Sequence, residues 1–275
     1  MNNLSKKFST VLLSSAVMVT LLPTSSMATE NDTESITSVK EIKKEIKTIN
    51  ESKLSKKEAH ESMNEVVNRT PNDVVTDYQK KMSQEVVEAH NKIAEKMMDT
   101  TLYYDDNSKV YTRKETVVLS DGTKLTVEDE DSPILEENEV PTKNTVMKAA
   151  ISRTDKFGSR SYKHTSKISL AVWADPALSL TTFYNASKSG LKATSTSTAG
   201  SFVSFPYSLT RSASITDNSA KKVGYDINTQ GEYTLESLGL NGVGIFSTDF
   251  TVRSTVKLLK INSSSVKVSL SSKLY

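Results

Sequence analysis

His60, His90 and His164 are the only histidines in the chain, and there is no cysteine. Imidazole is the side chain best suited to proton transfer near neutral pH, so these three positions bound the acid–base chemistry on offer. Lack of cysteine removes thiolate nucleophiles, disulfides, zinc knuckles and iron–sulfur clusters. Three histidines leave little material for a histidine metal site. His164 has the parity of Ile168 and Leu170 in an alternating run, which points it inward near a strand start. On paper it could form a hydrolase triad with Asp175, Asp226 or Asp249 and any of many serines. No G-x-S-x-G elbow singles out a nucleophile. The expectation is therefore a satisfied, partly buried histidine and no catalytic residue. His60 and His90 fall on helical patterns and are expected to face solvent.

Carboxylates are the next candidates. Glu128-Asp129-Glu130-Asp131 is followed by Pro133, Glu136, Glu137, Glu139 and Pro141. Such a run could attract Ca²⁺, as could Asp105-Asp106-Asn107, but neither has alternating ligand spacing or an internal turn glycine. A solvated linker is expected, with no metal and no cofactor. Gly239, Gly242 and Gly244 imitate a phosphate loop only in composition, since no Lys-Ser/Thr follows; no nucleotide is expected.

Charge is distributed unevenly. Residues 29–139 hold 16 Lys+Arg and 26 Asp+Glu, whereas residues 140–275 hold 17 and 7. The halves are thus at −10 and +10, a statement about partners and not about fold. Lys163, Lys167, Lys188, Lys192, Arg211, Lys221, Lys222, Arg253 and Lys257 are the candidate basic surface. Aromatic residues lie among them: Tyr162, Trp173, Phe183, Tyr184, Phe202, Phe205, Tyr207, Tyr225 and Tyr233. Most should be core, while exposed ones beside a cation could contact sugar or membrane. The partner expected is an anionic envelope polymer or lipid surface, with no specific nucleic acid.

The elements that must position these residues begin after an address. Lys6-Lys7, the apolar run Val11–Leu22 and Ser26-Met27-Ala28 form the layout of a secretory signal peptide cleaved between Ala28 and Thr29. The protein is expected to be secreted, extracellular and bacterial. Ile36, Val39, Ile42, Ile46 and Ile49 recur at helical steps. Ser55 and Glu58 suggest a capping box for a second helix through Val67. Thr70-Pro71 opens a third, over about 71–99, with Thr70 as the cap. The expected acidic helical region is 29–100, with self-association through its apolar stripes as an option.

Residues 101–144 read as a β-hairpin and the acidic linker. Asp121-Gly122 suits a two-residue type I′ turn that sets Val118 opposite Leu125 and Thr116 opposite Val127. From 145 to 275, period-2 runs separated by short turns predict an antiparallel β-sandwich or barrel of seven or eight strands. Ser and Thr supply 36 of residues 161–275, which suits wet strand faces. Pro206 should lie on an edge strand. The fold class is α+β, segregated. Three functions follow in order: a non-enzymatic binding module with the acidic region as a masking propeptide, a membrane-active toxin using Thr194–Ser219 as a pore hairpin, and a secreted hydrolase.

Overall fold

The computed structural model describes residues 35–98, 103–105, 110–133, 153–169, 176–203, 207–237 and 246–275. The proposed leader with its Ala28–Thr29 junction, the run from Glu136 to Pro141, Trp173, Asp175, Phe205, Pro206 and Gly239–Gly244 lie outside the described residues.

Three helices come first. α1 (Val39–Glu51) starts at Ser38, whose hydroxyl accepts from the Glu41 N–H. α2 (Lys56–Asn68) carries the full capping box of Ser55 and Glu58. α3 spans Asn72–Met98. Thr70 is not its cap: the hydroxyl turns back 2.6 Å to the Val66 carbonyl in the last turn of α2. Ile42, Ile46 and Ile49 of α1 pack with Ala59, Met63 and Val66 of α2 and with Val75 of α3. The apolar stripes thus pack on one another within this helical cluster.

Twelve strands are present among the described residues, all paired antiparallel, in two sheets. They are β1 (Tyr103–Asp105), β2 (Val110–Val118), β3 (Lys124–Pro133), β4 (Arg153–Lys156), β5 (Gly158–Ser169), β6 (Ala177–Ser187), β7 (Gly190–Ser197), β8 (Tyr207–Asp217), β9 (Ser219–Ala220), β10 (Asp226–Ser237), β11 (Phe246–Ile261) and β12 (Ser265–Leu274). One sheet runs β1-β2-β3-β5-β6-β7-β9 and the other β4-β12-β11-β10-β8. The architecture is sandwich-like and mostly β, with the helices toward the N-terminus. Apolar residues of both sheets share two core clusters.

Two local readings change. The hairpin β2–β3 is not separate from the sandwich, because β3 pairs with β5 along its whole length, from Lys124 opposite Ser169 to Pro133 opposite Arg160. Glu128–Asp131 therefore lies in a strand and not in a linker. The turn is also one residue longer than expected. The Leu119 N–H donates to the Thr123 carbonyl, and Gly122 takes a positive φ of 82°. The Asp121 carboxylate supports this loop by accepting from the Thr123 N–H. Val117 then opposes Leu125 and Glu115 opposes Val127. A one-residue slip exchanges the faces of a strand: Val118 becomes 59% exposed, and Arg113 points into the core.

α3 belongs to the sandwich as much as to the helices. Met82, Val86, Ile93 and Met97 join Leu125, Val127, Leu180, Val252 and Leu274 in one cluster. Beyond Val268, β12 has no strand on its outer side among the described residues, and α3 packs there. The Asn91 side chain donates to the Leu274 carbonyl and accepts from the Leu274 N–H, each at 2.9 Å. These satisfy backbone groups that an uncovered edge would leave bare. Met97 is fully buried, so Met97→Ala should cost about 2–5 kcal/mol in urea unfolding. A loss under about 0.5 kcal/mol would mean that α3 is not part of the cooperative core.

Candidate functional site

The residues able to do chemistry gather inside. Asp129, on the inner face of β3, accepts from the Arg113 Nε of β2 at 2.7 Å and the Tyr162 hydroxyl of β5 at 3.0 Å. His164 of β5 sets Nδ1 2.7 Å from the same carboxylate. Its Nε2 meets the Nε2 of His90 on α3 at 2.9 Å and the Ser166 hydroxyl at 3.1 Å. Arg113 also donates to the carbonyls of Met97 and Leu270. The group thus joins α3, β2, β3, β5 and β12. The parity argument places His164 correctly. His90 corrects its expectation: it is buried, not solvent-facing, because α3 lies in the sandwich with this side inward. The side chain of His60 lies outside the description.

The protons of the pair follow from its partners. Asn91 is oriented by the Leu274 backbone, so its Oδ1 faces the His90 Nδ1 at 3.1 Å and requires a hydrogen there. The His164 Nδ1 faces a carboxylate and needs one too. The two Nε2 atoms face each other at 2.9 Å. A second buried ion cluster adjoins the same strands. Arg160 lies 3.7 Å from Asp131 and 3.1 Å from Asp155, and Asp155 accepts from the Tyr184 hydroxyl. Asp129, Asp131 and Asp155 thus meet two guanidiniums, those of Arg113 and Arg160. Burial would raise the pKa of Asp129, but the His164 hydrogen bond and the Arg113 charge prevail and hold it at about 2. Burial first, and then the facing His164, push His90 down to about 3.

Asp129, His164 and Ser166 have the connectivity of a hydrolase triad, with an acid that sequence reading did not propose. Asp226 and Asp249 lie elsewhere: Asp226 accepts from Asn228, and Asp249 from Thr234. Ser166 is 1% exposed and His164 fully buried, so the described chain offers substrate no way to the hydroxyl. Asp129 and Asp131 are buried too, which corrects the solvated-run reading. Their partners, Arg113, Arg160 and His164, are remote in sequence. Glu130, on the opposite face, pairs with Lys163 at 2.8 Å. Among the described residues no cluster of three His, Asp or Glu could hold a metal ion.

The expected basic surface divides into spent and free cations. Lys163 is in the ion pair just named. Lys167 is half-buried with a partner. Arg211 points inward from β8 and donates to the Ser201 carbonyl of the facing sheet. Arg253 lies apart, in a cleft of about 740 Å³ between α3 and the outer face of β10–β12, where it and Lys273 approach the Tyr275 ring. Lys188, Lys192, Lys221, Lys222 and Lys257 come together at one end of the sandwich. Lys192 opposes Ser219, and the β6–β7 turn touches residues 220 and 221. Segment 222–225 is tied to β11 by Gly224 N–H to Leu258 O and Leu258 N–H to Tyr225 O, both 2.8 Å. Sequence reading missed Lys156 and Lys260 at this end. A bulge between Leu258 and Lys260 turns Lys260 outward, where strict alternation would bury it. All seven lysines are exposed.

The acidic helices hold the other end. Lys43 and Glu85 bond Ser120, Asn50 donates to the Asp121 carbonyl, and the Tyr78 hydroxyl to the Asp121 carboxylate. The β2–β3 turn and the lysine-rich end are at opposite ends of the strands by register. Thr194–Ser219 forms no hairpin, because β7 pairs with β6 and β8 with β10 in the other sheet. No helix of the described residues is long and apolar enough to cross a membrane. The chain matches no family model, no curated protein and no solved structure at a significant level.

The histidine pair sets an acid limit. His90 has a lower pKa folded than unfolded, so the unfolded chain binds a proton that the folded one refuses. The His90 contribution is then complete above about pH 6.5 and falls as pH drops toward 3, with the Asp129 contribution lost between about 3.8 and 2. One proton gives a slope of about 1.4 kcal/mol per pH unit. His90→Gln, neutral at every pH, should flatten the upper part of that fall in urea titrations. An unchanged slope would remove His90 from this role.

Proposed function

We propose that the protein is an exported, non-enzymatic β-sandwich module that holds an anionic envelope or extracellular partner on the lysine-rich end of the sandwich. One observation carries the reading: lysines from β4, the β6–β7 turn, β7, the segment after β9 and β11 converge on one exposed end. Asp155, beside Lys156, is buried on Arg160 and Tyr184, and Asp217 and Asp226, nearest the other lysines in register, each already accept a hydrogen bond from a neighbour. Like charges repel, so such a collection costs folding energy and suits an anionic partner.

The acidic region is, in this reading, a permanent part and not a removable mask. α1 and α2 sit on the far end, and loss of α3 would bare the β12 edge and the His90 contact. The rival readings have less beneath them. A hydrolase would need access to an enclosed Ser166, and a pore hairpin over 194–219 would need β7 and β8 to leave two different sheets.

Two outcomes test this. Protein recovered from culture medium should start near Thr29 and retain α3, and a start within 100–150 would restore the propeptide. On immobilised heparin, used as a stand-in polyanion, the Lys188/Lys192/Lys221/Lys222→Gln variant should bind about tenfold more weakly or worse, and wild-type binding should fall steeply with salt. Lys163→Gln should change nothing, since that ammonium already has its carboxylate. Equal elution of the wild type and the fourfold variant would overturn the assignment.

A further inference from the structure

Six large apolar or aromatic side chains are exposed among the described residues, and two of them, Val223 and Tyr225, occupy one short turn at the lysine-rich end. Each is 58% exposed. The turn is not loose. The Tyr225 N–H donates to the Lys222 carbonyl, and Gly224 and Tyr225 are both bonded to Leu258. Gly224 has φ 91°, an angle that suits glycine, and nothing lies within 4 Å of where its Cβ would stand. The backbone therefore projects Val223 and Tyr225 into open space from a fixed base. A valine this exposed gains nothing from a soluble polyanion, which offers charge and hydroxyls. It gains from an acyl boundary, and tyrosine suits the headgroup level with its ring in the apolar zone and its hydroxyl in the wet one.

We propose that the turn Lys221–Tyr225 is a membrane-interface anchor: Val223 and Tyr225 enter the headgroup region of an anionic bilayer while the surrounding lysines take its phosphates. This rests on the polyanion reading above and names the partner as a lipid surface. The two parts of the site need each other. A pair of side chains buries too little apolar area to hold a protein on a membrane alone, and stable anchoring takes a second signal such as a polybasic patch. Asp217 and Asp226 flank the turn and set a limit to its attraction. The lysine stems can lie along the interface with their ammonium groups in water.

The chain has no cysteine, so Val223→Cys accepts a single environment-sensitive dye in the full mature protein. With vesicles of phosphatidylglycerol and phosphatidylcholine the dye emission should shift to the blue, and with phosphatidylcholine alone it should not. By sedimentation, Val223→Ser with Tyr225→Ser should weaken binding to the anionic vesicles about tenfold and leave heparin retention unchanged. Both side chains are mostly in solvent, so the fold should survive, and an unchanged thermal transition checks this. Vesicle-bound protein without a blue shift, or equal vesicle binding by the double-serine variant, would overturn the anchor and leave the polyanion reading standing. Loss of neither vesicle nor heparin binding in the fourfold lysine variant would instead remove that reading and the anchor with it.

Discussion

A buried carboxylate sets the terms for this fold. Asp129 stands in the middle of β3 with almost no contact with water, and an ion so placed costs several kcal/mol unless charge and hydrogen bonds surround it. The partners come from four other places: Arg113 on β2, Tyr162 and His164 on β5, and, through those, Met97 and His90 on α3 and Leu270 on β12. Meeting that one requirement fixes the register of the hairpin against the sandwich and the rotation of α3 about its axis. A slip by one residue in β3 would put Glu128 or Glu130 inside and leave Arg113 and His164 without a counter-charge. Buried polar groups of this kind add little net stability but penalise wrong pairings.

This explains why α3 cannot be read as an appendage. Apolar packing alone would let a helix slide along a sandwich edge by a turn, since Met82, Val86, Ile93 and Met97 are similar in volume and recur at helical steps. The 2.9 Å contact of two imidazoles and the pairing of Asn91 with both backbone groups of Leu274 admit one position only. The same contact carries the sensitivity to acid, because burial and the facing His164 disfavour a charge on His90.

Patterns of period were legible in the sequence, and patterns of charge were not. Helical steps located α1, α2 and α3 within a few residues, and alternation in the C-terminal half pointed to antiparallel sheets. Each of those signals is local. The hairpin register was missed because turn length depends on the Asp121 side chain and its tether to Tyr78, features that a two-letter Asp-Gly signal does not contain. The acidic run was misread because Asp129 and Asp131 look identical to Glu128 and Glu130 until the strand is paired and alternate members turn inward. His90 was placed on the wet side of α3 because the helix buries two faces, one toward α1 and α2 and one toward the strands. Charge placement is a long-range property, and its partners here lie tens of residues away.

The distinction bears on how the basic half works. Of the cations expected to form one surface, those on inner faces or opposite acids in register are consumed by the structure, as Lys163 and Arg211 are. Of those left over, Arg253 lies in the cleft beside α3, and the lysines share a topological position: they sit in turns and strand ends at the pole remote from the β2–β3 turn. Strand ends escape the inward–outward alternation, so residues there can be chosen for a partner without cost to the core. At the opposite pole the same freedom is spent on holding α1, α2 and the start of α3. Among the described residues the sandwich thus carries its own helices at one pole and exposed lysines at the other. Part of the charge asymmetry of the sequence is consumed between the two halves, as Arg160 meets Asp131 and Lys163 meets Glu130.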